Sequence, residues 1–152
     1  MTVLAAAQIR MRKVEKRLAA AGCAVTADAG GTHVSRHGRW DVVDTSPCDP
    51  DTLPDRIIAA ARELLGLRPR SGLACSFDGP PGESDSWTTV VDIARAVAAE
   101  VPLAVLDDHA GTTYLVHPGR GLIAPTEVEM VRRNAPPSTA DLLRRMLGGD
   151  GR

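Results

Sequence analysis

Residues 73–116 constrain the fold more than any other part of the chain. "LACSF" (73–77) is a short continuous apolar run, the pattern of a strand buried on both faces. Residues 85–100 place Trp87, Val90, Val91, Ala94, Val97 and Ala98 on one wide apolar face, the pattern of a helix laid on a sheet. "PLAVLD" then reads as a second strand, "DHAG" as a tight turn and "TTYLV" as the hairpin partner. Strand, helix and strand in that order can form a right-handed parallel unit. A four-residue turn puts Leu103, Val105, Asp107, Thr112, Tyr114 and Val116 on one face of the hairpin. It puts Ala104, Leu106, Thr113, Leu115 and His117 on the other.

The flanking segments extend this centre. "CAVTADA" and "THVSRHGRWDVVD", joined by "GG", read as a second hairpin whose later half a turn at "HGR" can divide. Residues 52–65 read as a helix with Ile57, Ala61, Leu64 and Leu65 as its stripe and Gly66 as its stop. In residues 3–21, Leu4, Ala7, Met11, Val14, Leu18 and Ala21 recur at alternating spacings of three and four. That is the seam of a helix lying along another helix, or along its own copy in a homodimer. The tail, 119–152, reads as helical, with helices near 126–133 and 139–147. The expectation is one α+β domain over 1–152. It has a mixed sheet, two hairpins around a central βαβ unit, helices mainly on one face, and an N-terminal amphipathic helix over 1–22.

Composition narrows what such a domain can do. Of 152 residues only Trp40, Phe77, Trp87 and Tyr114 are aromatic. The core is therefore aliphatic, and neither an aromatic-lined cofactor pocket nor a base-stacking surface is expected; no cofactor is implied. Arg dominates the basic residues, with Lys only at 13 and 16, and Ala, Gly and Pro are abundant. This composition looks like that of a GC-rich bacterial genome, and a bacterial source is expected. Cys23, Cys48 and Cys75 are odd in number and form no C-x-x-C, which argues against a disulfide framework or a structural zinc site. No signal-peptide order of charges and no membrane-length apolar run is present, so a cytoplasmic protein is expected. The net charge of −1 is uneven: residues 1–22 carry +4 and residues 67–118 carry −4. Basic Arg10, Arg12, Lys13, Lys16 and Arg17 lie mostly off the first helix's seam.

Residues capable of chemistry are few. If 73–77 and 103–107 are adjacent parallel strands, Asp78, Asp107 and Asp108 gather at their carboxyl edge, where α/β folds place ligands. Three carboxylates there can hold Mg²⁺. "LAVLDDHAG" resembles the first strand of two-component receiver domains, which ends in an Asp-Asp pair. A receiver continues into a helix, whereas "GTTYLV" reads as a strand, and it needs a later lysine, whereas none follows Lys16. The resemblance stops there. Asp107 and His117 point to opposite faces, and Asp108 and His117 stand on the order of 13 Å apart along a strand, too far for a catalytic pair. His33 and His37, four apart in a strand, are likewise too far apart to share a metal. Cys75 sits mid-strand and reads as a small core residue. No phosphate-binding loop, nucleophile elbow or H-E-x-x-H is present.

Three functions follow from these readings. The first is a non-catalytic protein-binding module of the immunity, inhibitor or accessory type, acting on a protein partner through an acidic surface that includes Asp78, Asp107 and Asp108. The second is a small enzyme or Mg²⁺-binding protein using the same three carboxylates. The third is a regulator bound to nucleic acid through the basic first helix, with less basic excess than such proteins usually carry.

Overall fold

The computed structural model describes residues 1–36, 42–77 and 84–133. The elements are β1 (Thr2–Ala5), α1 (Met11–Ala20), β2 (Ala24–Asp28), β3 (Gly31–Ser35), β4 (Val43–Cys48), α2 (Asp55–Leu65), β5 (Ser71–Phe77), α3 (Ser84–Glu100), β6 (Ala104–Asp107), β7 (Thr113–His117), β8 (Gly121–Ile123) and α4 (Pro125–Arg133). The strands form one sheet in the order β2-β3-β4-β5-β1-β6-β7-β8. The fold class is α+β, but the sheet is not mixed: every neighbouring pair is antiparallel.

The reason is β1. β5, α3 and β6 do form the expected strand–helix–strand unit, yet β1 lies between its two strands and runs antiparallel to both. The helix expected from residue 3 therefore begins only at Met11. A strand at the centre of a sheet, covered on both faces, asks for a continuous apolar run, and all four residues of β1 are buried. The sequence offered no boundary signal, because the cap residue Arg10 makes no side-chain cap bond and the intervening alanines suit a helix too. Ser71 fixes the connection: its Oγ donates to the Ala7 carbonyl and accepts from the Ile9 amide.

Helices cover both faces, which corrects the one-sided arrangement. α1 and α3 pack on one face over Val3, Ala5, Leu73, Cys75, Leu106 and Val116. α2 and α4 pack on the other over Leu4, Val105, Leu115 and Ile123. Alternation along β1 and β6 forces the division, since successive side chains of a strand point to opposite faces. α3 accordingly rests on Leu106 and not on Val105, and Ile93 joins its buried residues at 0% exposure. Trp87 is half-buried and meets Tyr114 edge-on, with ring centroids 6.4 Å apart. In α1, Val14 and Leu18 are buried in the same core, so that part of its seam has its partner within the chain.

The expected stripe of α2, Ile57, Ala61, Leu64 and Leu65, is buried, and Gly66 ends the helix in the left-handed conformation at φ 72°. Each large aliphatic side chain buried there contributes roughly 1.5–3 kcal/mol. The expected start at Thr52 shifts. Thr52 instead closes a single 3₁₀ turn, Pro50–Thr52, capped by the Asp49 side chain, and α2 starts after Pro54. The tail also differs from expectation: β8 precedes α4, and the segment expected as a helix at 139–147 lies outside the described residues. Gly31, at φ 141°, sits so close to β4 that a Cβ there would stand 2.0 Å from the Thr45 carbonyl oxygen.

The three cysteines are free. Burial pushes the Cys75 thiol up to about 12. A maleimide is expected to leave Cys75 unmodified in the folded protein and to react first with the half-buried Cys48. Peptide mapping by mass spectrometry after timed labelling checks this order.

Candidate functional site

The turn after β6 is one residue longer than the sequence suggested. Asp107 pairs with Thr113, and residues 108–112 form the loop. The Asp108 amide donates to the Thr112 carbonyl, while Asp108 Oδ1 accepts from the amides of Ala110 and Thr112. His109 adopts φ 60° and Gly111 φ 116°, so two left-handed residues absorb the bend. One extra loop residue flips β7, because strand side chains alternate. Thr113, Leu115 and His117 therefore share a face with Val105 and Asp107, a correction to the faces expected above.

Asp107 does not present its carboxylate to solvent. It is 0% exposed. Its Oδ1 accepts from the His109 amide at 2.9 Å and its Oδ2 from the Thr113 hydroxyl at 2.7 Å. Arg56 of α2 approaches to 3.7 Å. Asp108, half-buried, spends one oxygen on the loop backbone. Asp78 lies outside the described residues. Asp107 and Asp108 are thus neighbours by sequence whose carboxylates do different work: one ties strand to strand, the other ties the loop to itself. Among the described residues no group of three His, Cys, Asp or Glu side chains is placed to hold a metal ion.

A pairing that sequence reasoning missed lies beside them. Thr2 Oγ1 and His109 Nε2 are 2.8 Å apart. Burial, and then the ammonium of Met1, pushes the His109 pKa down, which favours the neutral imidazole. A hydroxyl against a neutral imidazole is the first contact of a nucleophile–base pair. Two features separate it from one. Thr2 is only 2% exposed, and Asp107 bonds the backbone of His109 where a catalytic carboxylate would orient the ring.

The second region is the half of the sheet that α2 and α4 leave bare. On that face β2 carries Ala24, Thr26 and Asp28, β3 carries His33 and Ser35, β4 carries Asp44 and Ser46, and β5 carries Ala74 and Ser76. Ala24, Thr26, Asp28, Asp44, Ser46 and Ser76 are exposed. His33 sits between two carboxylates, Nδ1 at 2.6 Å from Asp44 and Nε2 at 2.8 Å from Asp28, so one side chain joins three strands. The period-two run of small and polar residues through 24–46 was the available signal for this face. His37, the other half of the expected histidine pair, lies outside the described residues.

The clamp is pH-sensitive in a defined direction. The bond to Asp44, then that to Asp28, raises the His33 pKa above its ordinary value. The bond from His33, then that from the Gly30 amide, lowers the Asp28 pKa. A raised histidine stabilises fully below its unfolded pKa of about 6.5 and loses that contribution as pH rises through its folded value. A lowered aspartate stabilises above about 3.9 and loses its contribution as pH falls through its folded value. The clamp is therefore strongest between these limits. Thermal melts of the wild type and His33→Asn are expected to differ more at about pH 5.5 than at about pH 8.5.

A shallow cleft of about 290 Å³ between α2, the β6–β7 loop and α4 is lined by Glu63, Leu64, Thr112, Thr113, Val128 and Glu129 among others. Its polar side chains are the hydroxyls of Thr112 and Thr113 and the carboxylates of Glu63 and Glu129. No protein-family model, curated protein or solved structure matches this chain.

Proposed function

We propose that this chain is a non-catalytic protein-binding module, of the immunity, inhibitor or accessory type, which meets a basic partner through the bare half of its sheet. The observation that carries this reading is that face: free of a covering helix among the described residues, built of short side chains of which only Ser35 is buried, and bearing the exposed carboxylates of Asp28 and Asp44. An exposed, polar sheet surface of this kind suits a macromolecule, which buries about 800 Å² per partner in a standard interface, better than a small substrate, which needs concavity. Complementary charge speeds encounter and selects the partner. Affinity capture from the source organism's lysate tests the reading. A protein retained by the wild type and lost with Asp28→Lys/Asp44→Lys supports it; equal retention by both, or no retained protein, counts against it.

A second reading, an enzyme or metal-binding protein, is favoured by the Thr2–His109 contact and by the carboxylates of Asp78, Asp107 and Asp108. It ranks lower because Thr2 and Asp107 are closed to solvent. A ligand that binds only the folded state raises its melting temperature. Both Asp107 oxygens already accept hydrogen bonds, so millimolar Mg²⁺ is expected to leave the melting temperature unchanged. A rise that Asp78→Asn erases would establish the metal site.

A further inference from the structure

The two edges of the sheet are not alike. β8 is three residues long and runs directly into α4. β2 is five residues long, pairs with β3 in unbroken register, and among the described residues has no strand on its other side. An open edge leaves alternate N–H and C=O groups without strand partners, and proteins commonly blunt such edges with proline, lysine or a bulge. β2, "AVTAD", has none of these.

Beside this edge runs α1. A groove of about 420 Å³ between them is lined by Arg12, Glu15, Lys16, Ala19, Val25 and Ala27. A strand edge with a helix alongside it is an arrangement suited to receiving an extended peptide, in which main-chain bonds supply affinity and alternate side chains supply specificity. The charges of the groove specify those side chains. Lys13 and Arg17 turn to the other side of α1 and pair with Glu100 of α3. Glu15 accepts the Thr32 hydroxyl. Arg12 and Lys16 are exposed, and no carboxylate among the described residues pairs with either. Four residues apart, they are separated by about 6 Å along the helix. Residues two apart on a strand are separated by about 6.8 Å.

We propose that β2 is a docking edge for an extended segment of a partner protein, which adds as a ninth strand and presents two acidic side chains, two residues apart, to Arg12 and Lys16. Val25 and Ala27 leave room in the groove for these side chains, and the intervening residues of the segment lie over Thr26 and Asp28 on the opposite face. A second copy of this chain is a poor occupant. The groove-facing residues of its β2 are Val25 and Ala27, which bring no carboxylate, and self-pairing sets the basic flanks of two α1 helices against each other.

Arg12 and Lys16 line the groove on the side of β2 away from the Asp28 and Asp44 side chains, so the two sets of variants give distinguishable outcomes. A random twelve-residue peptide library displayed on phage is selected on the immobilised full chain, and the enriched peptide is synthesised. The expected result has three parts. The peptide carries acid-x-acid, it slows amide exchange across Ala24–Asp28, and Arg12→Glu/Lys16→Glu weakens it at least tenfold while leaving the melting temperature unchanged. Enrichment of peptides without the acid pair, protection elsewhere, undiminished binding to the double variant, no enrichment, or a chain that sediments as a dimer through β2 would each overturn the proposal.

Discussion

Leu4→Ala is expected to destabilise the protein by about 3 kcal/mol or more, the cost of emptying a large aliphatic site in a rigid core. Leu4 is 0% exposed and stands at the centre of the sheet, opposite Gly72 on one side and Val105 on the other. Gly72 has no side chain to move into the space, and a Cβ there would already lie 3.1 Å from Leu4 Cδ2. α2 closes the site from above with Ile57, Leu64 and Leu65. For a chain of this length the loss corresponds to a fall in melting temperature on the order of 10 °C. Val3→Ala adds the discriminating measurement. Val3 faces the opposite core and is also 0% exposed, so its truncation should cost about 1 kcal/mol or more. Loss from both adjacent positions is the mark of a strand covered on two faces. In a helix over 3–21, Val3 lies off the seam and its truncation would be silent. Leu67→Ala, at a side chain 42% exposed, should change stability by less than about 0.5 kcal/mol. Urea unfolding of the three variants gives the comparison.

The ambiguity at Leu4 shows what was legible and what was not. Elements with a long, one-sided apolar period were read at nearly their observed bounds: α2 by Ile57, Ala61, Leu64 and Leu65, and α3 by Val90, Ala94 and Val97. Such periods state their own geometry. β1 and β8 have four and three residues, too few to show a period, and β1 runs into alanines that extend a helical pattern equally well. Without β1, β5 and β6 read as neighbours, and from that single omission come the mixed sheet and the expected meeting of acids at one edge. The faces of β7 turned on one loop residue. No local rule distinguishes a four-residue from a five-residue turn in "DDHAGT" until the Asp108 side chain is seen bonding the amides of Ala110 and Thr112. At the candidate sites, chemistry was easier to list than to place. Asp107 and Asp108 stood out as a pair, whereas the Asp28–His33–Asp44 clamp joins residues from three strands and needs the register to be visible.

Asp107→Ala is expected to cost about 3 kcal/mol, because it strands several polar groups at once. The Thr113 hydroxyl loses its acceptor in a buried site, and the part-buried amide of the exposed His109 loses its own. An unpaired buried group costs about 1–3 kcal/mol. Arg56 loses its neighbouring carboxylate too, and, being on a more exposed side chain, it adds less. Asp107→Asn keeps one acceptor oxygen and should cost about half as much. Asp108→Asn should cost less than about 0.5 kcal/mol, since its amide oxygen can still accept from Ala110 and Thr112. The predicted order, with Asp107→Ala worst and Asp108→Asn mildest, follows from how each carboxylate is spent and not from their shared sequence motif. Amide exchange gives a second readout: loss of Asp107 should speed exchange at His109, whose N–H it holds, and leave β2 and β3 at their wild-type rates. If Asp107→Ala proves as mild as Asp108→Asn, the buried carboxylate is not the anchor of the loop. Its purpose would then have to be sought in a ligand, and the enzyme or metal reading would gain what the binding module loses.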